Sequence, residues 1–221
     1  MKVLGIDCTA KVTNIGIASD GKILSEISLE LGRQQSSRLP LLVEETLGSL
    51  SMDLSDLDLI AAANGPGYYT GIRTGIAYSA ALAKALGIRI LPVSSLEAFV
   101  HDLRPMGVLL APVIKARQNC VYCALYLSDG SQFKPFVYPK FCPAAEFADF
   151  LGLYPDALIV GKDTVLFSEF SSLPNNVLPS AVGRPGQTAL IGEYYKELSV
   201  TPDMIQGAYL REPDIGPTSY I

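Results

Sequence analysis

The sequence contains no tryptophan and only one histidine, His101, among its 221 residues. Most zinc sites need several histidines or paired cysteines, and a hydrolytic triad needs a histidine beside its nucleophile. With four cysteines and no second C-x-x-C pair, a metal site is not expected. His101 stands at a predicted helix end, where a lone histidine is expected to be a surface or capping residue.

Positive charge is also scarce, since 17 Lys and Arg stand against 22 Asp and Glu, for a net charge of −5. The chain as a whole has no excess of cations to neutralise phosphates, so binding of RNA is expected to need a partner protein. No apolar run approaches membrane length, and Asp7 interrupts the first one. We therefore expect a cytoplasmic protein with reduced thiols and no membrane partner.

The one C-x-x-C sequence, Cys120-Val121-Tyr122-Cys123, lies in a run with β-strand character. In a strand, an odd separation places two side chains on opposite faces of the sheet. The two thiols are therefore not expected to form a metal or redox site.

The most informative stretch is Asn64-Gly65-Pro66-Gly67-Tyr68-Tyr69-Thr70-Gly71-Ile72-Arg73-Thr74-Gly75, which follows a short apolar strand predicted at 57–63. It predicts a strand-to-helix corner, with a helix from near Thr70 to residue 86. Such a corner can hold an anion at the helix N-terminus, or its glycines can serve close packing alone. The spacing matches neither a dinucleotide fingerprint nor a P-loop.

The order of predicted elements repeats. Strands at 2–7, 12–18 and 22–29 precede a helix at 39–50, the strand at 57–63, the helix at 70–86, a strand at 88–92 and a short helix. The second half repeats this order with strands at 107–114, 120–127, 132–140 and 157–161 and helices after Pro143, at 163–170 and at 187–198. This βββαβα repeat predicts an α/β protein of the actin-like ATPase fold, with two ribonuclease-H-like lobes at 1–103 and 104–221. The 187–198 helix could pack on either lobe.

Four motifs together resemble the TsaB family, also called YeaZ. They are Gly5-Ile6-Asp7-Cys8-Thr9, the corner at 64–75, Lys115-Ala116-Arg117 and Tyr209-Leu210-Arg211. The corner resembles the family pattern Gly-Pro-Gly-Ser-Phe-Thr-Gly-Leu-Arg-x-Gly, with Tyr68-Tyr69 in place of Ser-Phe. The resemblance implies a noncatalytic subunit that binds and activates a TsaD-type enzyme, which transfers a threonylcarbamoyl group to an adenosine of tRNA.

The resemblance also bears on cofactors. The catalytic TsaD relatives carry a His-x-x-x-His metal pair, and the matching positions here are Ser95 and Phe99, which are poor ligands. By the same resemblance, Asp7, Cys8 and Thr9 would form a vestigial phosphate loop, while Gly161 stands alone where the relatives have a glycine pair. No metal or cofactor is expected, and ATP with Mg²⁺ is possible only if that loop still functions.

Two helices are the predicted partner interface. The candidate residues are Leu39, Leu42, Val43, Leu47, Tyr69, Ile72, Arg73, Ile76, Ala80 and Ala83. The same apolar stripes could instead cover the sheet of their own lobe. By resemblance, the helices contact a TsaD-type paralogue, with a TsaE-type ATPase at the interface, and form a homodimer when the chain is alone. The resemblance implies that tRNA is reached only through that complex.

Other functions stay open at this point. A small actin-like ATPase or kinase would use Asp7 to hold a Mg-nucleotide, and a glycoprotease-like hydrolase is a weaker alternative. A self-associating module without a paralogous partner is a further one. Whether Arg73, Arg117 or Arg211 reaches RNA is undecided by the sequence.

Overall fold

Two five-stranded sheets with the same strand order form the framework of the protein. The structure is a computed structural model that describes residues 1–128, 133–178 and 185–212. The first sheet has the order β3-β2-β1-β4-β5, with β1 Val3–Asp7, β2 Val12–Ser19, β3 Lys22–Glu30, β4 Leu59–Gly65 and β5 Arg89–Ser94. The second has the order β10-β9-β6-β7-β8, with β6 Leu109–Lys115, β7 Cys120–Ser128, β8 Phe133–Pro143, β9 Leu158–Val160 and β10 Val177–Leu178. The predicted turn at Asp129-Gly130 lies outside the described residues.

Each sheet joins an antiparallel half to a parallel half. Val3 of β1 pairs with Ala18 in antiparallel register and with Leu59 in parallel register. Likewise, β6 runs antiparallel to β7 and parallel to β9. The central strands β1 and β4 are apolar on both faces because helices cover both sides of the first sheet. The predicted duplicated α/β fold is confirmed.

Within the described ranges, six α-helices cover the sheets. They are α1 Gln35–Gly48, α2 Tyr69–Leu86, α3 Ser95–Val100, α4 Ala144–Leu151, α5 Ser168–Ser171 and α6 Gln187–Tyr194, joined by short 3-10 segments at Gly32–Gln34, Leu54–Asp56, His101–Met106, Lys162–Leu166, Lys196–Leu198 and Pro202–Met204. One face of the first sheet packs on α1 and α2. The other face packs on α3 and α6, and α3 also contacts β6 and β7, which joins the two lobes.

Helix α6 returns to the first lobe. A Cβ on Gly5 would overlap Ala189, one on Gly16 would overlap Gly186, and one on Gly192 would overlap Ala61. Glycines on both sides of this contact therefore let the helix lie directly on β1, β2 and β4. Of the two placements that the sequence left open for this helix, the structure therefore shows the one on the first sheet.

In the part of the chain that the structure describes, no helix is both long and apolar enough to cross a membrane.

Candidate functional site

The corner between β4 and α2 packs on the turn that follows β1. The Gly65–Pro66 peptide is cis, and three glycines four residues apart face the turn. A Cβ on Gly67 would overlap the carbonyl oxygen of Thr9, and one on Gly71 would overlap that of Cys8. Gly75 lies against the Cys8 side chain. The glycines therefore allow α2 to approach the backbone of residues 8–9, which is the close-packing alternative for this corner.

Hydrogen bonds hold the turn and the corner together. The Tyr68 N–H donates to the Thr9 carbonyl at 2.6 Å. The Gln35 amide donates to the carbonyls of Cys8 at 3.3 Å and Ala10 at 2.8 Å. The buried Ser95 hydroxyl donates to the Pro66 carbonyl. Gln35 was not predictable from the sequence, because a polar residue on a buried helix face leaves no periodic signal.

Asp7 bonds back to its own turn through one carboxylate oxygen. Its Oδ1 accepts hydrogen bonds from the Thr9 N–H at 2.8 Å and the Thr9 hydroxyl at 2.6 Å. Burial raises the pKa of the Asp7 carboxyl, and the two Thr9 hydrogen bonds oppose that shift. Burial, together with the charge of Asp7, raises the pKa of the Cys8 thiol to about 12. A protonated, buried thiol is a poor nucleophile.

These residues do not fit a Mg-nucleotide. A phosphate loop would present the Thr9 and Tyr68 N–H groups to the ligand. Here both groups donate hydrogen bonds to other atoms of the protein. Gly161, with φ of 151°, lies so close to Val113 that a Cβ there would overlap the Val113 carbonyl oxygen. The cavity beside Asp7 measures about 120 Å³, whereas ligand sites usually reach at least ~300 Å³.

A larger cleft of about 770 Å³ lies between the two lobes. Residues from all four motifs that carry the family resemblance line it, from Thr9, the corner, Lys115-Ala116-Arg117 and Tyr209-Leu210-Arg211. These motifs lie far apart in the sequence. The fold brings them together.

The C-terminal segment forms one wall of the cleft. The Ala208 N–H donates to the Asn64 carbonyl at 2.7 Å, and the Asn64 amide donates to the Gln206 carbonyl at 3.1 Å. The Tyr209 ring lies 5.1 Å from the Tyr69 ring. The segment is thus held against the end of β4 and the start of α2.

The predicted interface residues fall into two groups, and the first requires a correction. The buried group comprises Leu39, Leu42, Val43, Leu47, Ile72 and Ala83, and all of these except Ile72 pack in the core of the first lobe. Their helices use this apolar stripe to cover their own sheet, so these side chains face the core, and only Leu39 among them also borders the groove between α1 and α2. Ile76 and Ala80 are half-buried, while Tyr69 and Arg73 are exposed, with the Arg73 guanidinium 5.6 Å from the centre of the Tyr69 ring.

The exposed face of α1 and α2 is the opposite one. A groove of about 440 Å³ separates the two helices and is lined by Ser36, Leu39, Thr70, Arg73, Thr74, Ala77 and Tyr78. Leu41 on α1 is 46% exposed. On α2, Ala77, Ala81 and Ala85 are exposed, so the backbone of this face is thinly covered.

The positions matched to a metal pair hold other interactions. Ser95 bonds Pro66 as described, and Phe99 is half-buried against the core between the lobes. His101 is buried, with Nδ1 3.0 Å from the Gln187 amide oxygen, and burial lowers its pKa to about 4. The expectation of a surface or capping histidine was wrong, because α6 covers this end of α3. Among the described residues, no cluster of three His, Cys, Asp or Glu could hold a metal ion.

The C-x-x-C thiols do not meet. Cys123 is buried, and its sulfur lies 3.6 Å from that of Cys142 on β8, whereas Cys120 is half-buried. The strand alternation that separates the two thiols is the predicted one.

The paired 3-2-1-4-5 sheets, the duplicated topology and the cleft between the lobes define an actin-like ATPase fold. YeaZ from Pseudomonas aeruginosa superposes with a TM-score of 0.79 and 22% identity, covering 95% of this chain and 99% of that one. Another structure, a Pseudomonas aeruginosa protein with similarity to the peptidase YeaZ, gives a TM-score of 0.81 at 24% identity over the same shares.

Sequence relatives identify the family within this fold class. Residues 22–180 match the family model of TsaD, tRNA N6-adenosine threonylcarbamoyltransferase. The tRNA threonylcarbamoyladenosine biosynthesis protein TsaB of Bacillus subtilis is 31% identical over 175 residues, which cover 76% of this chain and 74% of that protein. A Pyrobaculum islandicum tRNA N6-adenosine threonylcarbamoyltransferase is 37% identical, but the match spans 47% of this chain and 35% of that enzyme. The chain belongs to the TsaB family.

Proposed function

We propose that this chain is a noncatalytic subunit of the complex that makes threonylcarbamoyladenosine in tRNA. It binds and activates a TsaD-type catalytic subunit through the exposed face of α1 and α2. The observation that carries the proposal is that face itself, with its groove and three exposed alanines. Membership of the TsaB family supports the pathway.

The noncatalytic role is supported by the internal interactions of the polar groups near the corner. Ser95 bonds a backbone carbonyl, Asp7 bonds Thr9, and the Cys8 thiol is held protonated. Each group thereby stabilises the corner beneath α2. A residue that is already satisfied within the protein is poorly placed to act on a substrate.

The exposed face suits another helix. Small side chains on α2 let a partner backbone approach closely, and the groove beside them can accept larger side chains. Leu41 adds an exposed apolar side chain on α1, and Arg73 adds a charge beside the groove. In the proposed assembly the TsaD-type paralogue binds this face, a second copy takes its place when the chain is alone, and a TsaE-type ATPase binds at the interface.

Ala77→Arg tests the proposal, with Ala145→Arg on α4 as the matched control. Both alanines are exposed on helices, but only Ala77 lies on the proposed face. We expect Ala77→Arg to prevent copurification with the TsaD-type subunit and to convert the lone chain to a monomer in light scattering. Ala145→Arg should change neither, and both variants should keep the wild-type unfolding temperature. Wild-type copurification of Ala77→Arg would contradict the proposed face.

A further inference from the structure

The cleft between the lobes is rich in cations although the chain is acidic overall. Among the residues that the structure describes, five basic ones line it, from both lobes and the C-terminal segment: Lys11, Lys115, Arg117, Lys162 and Arg211. They face three acids, Glu30, Asp163 and Glu212. Asp163 already accepts a hydrogen bond from the Lys115 N–H at 2.9 Å. The cleft is therefore locally positive, although the whole chain has a net charge of −5.

Exposed aromatic rings lie among these cations. Tyr68 and Tyr209 are each 44% exposed, and both line the cleft together with Tyr122. A tyrosine ring that is accessible beside lysines and arginines can stack on a nucleic-acid base while the cations contact the phosphates. This lining therefore fits a ligand in which bases and phosphates alternate along a chain.

The arrangement favours a strand over a mononucleotide. A free triphosphate is usually cradled by backbone N–H groups in glycine loops, and here those of Thr9 and Tyr68 are occupied internally. The remaining donors are side chains that end at exposed positions, including Lys11, Lys115 and Lys162. Long side chains spread around a cleft of about 770 Å³ match phosphates that are spaced along a backbone.

We propose that the cleft between the lobes binds a single-stranded segment of RNA, with the basic side chains on its phosphates and Tyr68 and Tyr209 against its bases. This goes beyond the proposed docking function, since it uses a different surface from the α1–α2 groove, while the choice of RNA over DNA rests on the tRNA pathway of that proposed function. It adds a direct RNA contact where the family resemblance implied that tRNA is reached only through the complex.

The test uses the full chain alone and a fluorescein-labelled dodecauridylate, followed by anisotropy at several salt concentrations. The cleft variant is Lys115→Glu with Lys162→Glu, and the control is Lys22→Glu with Lys134→Glu, which changes the net charge equally at exposed sites outside the cleft. We expect the cleft variant to bind at least about tenfold more weakly and to lower the salt slope by about 1.4, or ~0.7 for each lost phosphate contact. The control should stay within about twofold of wild type.

Equal losses in both variants would overturn the proposal, because they would reflect net charge alone. Absence of salt-dependent binding by the wild type, or displacement of the RNA by ATP at micromolar concentration, would also overturn it. A second readout does not depend on the charge variants. Photocrosslinking with 4-thiouridine RNA should label Tyr68 or Tyr209, and labelling confined to residues outside the cleft would contradict the assignment. Since the isolated chain is used, the result is independent of docking to a TsaD-type subunit.

Discussion

At the scale of single residues, Glu97 on α3 is the most unusual group in the contact between the lobes. Among the described residues its Oε1 is buried without a hydrogen-bond partner, and burial raises its pKa to about 7, while the nearby Tyr195 side chain opposes that shift. The Tyr195 and Tyr126 hydroxyls that face it have raised pKa values, chiefly from burial and further from its charge. A proton on Glu97 therefore favours the folded state.

The sign of the pH effect follows from this raised pKa. The stabilisation is complete below the unfolded-state value and is lost as pH rises through about 7. We expect Glu97→Gln to raise the free energy of unfolding above wild type by on the order of 2 kcal/mol at pH 8, and by much less at pH 5. Urea unfolding across this range measures the difference.

Glu45→Gln on the exposed face of α1 is the control and should follow the wild-type curve. The pKa of His101 is lowered to about 4, so its contribution to the stability of the folded state is lost as pH falls. Every variant compared retains His101, and this contribution therefore cancels in the differences. A constant difference between Glu97→Gln and wild type from pH 5 to pH 8 would be inconsistent with a buried carboxyl.

At the scale of elements, α2 shows what a sequence can and cannot predict. Its span, Tyr69–Leu86, was predicted to within a residue because Gly65-Pro66-Gly67 ends the strand and Gly87 ends the helix in a left-handed conformation. Which face is buried was not predictable from spacing, since alanine and glycine occur all around the helix. The face is fixed by backbone contacts with residues 8–9, which are distant in sequence.

Gly71→Ala tests this packing, with Gly48→Ala as control. A Cβ at Gly71 would overlap the Cys8 carbonyl oxygen, whereas nothing lies within 4 Å of a Cβ at Gly48, which is also helical. We expect Gly71→Ala to lower the free energy of unfolding by about 1–3 kcal/mol. Gly48→Ala should be neutral or stabilising by up to ~1 kcal/mol. Equal effects of the two changes would show that the contact between α2 and the turn is not tight.

At the scale of the whole molecule, the duplicated topology was predictable because strand alternation and helical periodicity are local patterns. The return of α6 to the first sheet was not, because the glycines that permit it, such as Gly5 and Gly192, carry no pattern that pairs them. The cleft was missed for the same reason, since Lys11, Lys115 and Arg211 become neighbours only through the fold.

The measurement that most directly tests the proposed role is reconstitution of tRNA threonylcarbamoylation with a TsaD-type subunit, using the wild-type chain, Ala77→Arg, Ala145→Arg or no chain. Activity should depend on the chain, fall with Ala77→Arg to the level without it, and be preserved by Ala145→Arg. Equal rates with and without the wild-type chain would contradict the account.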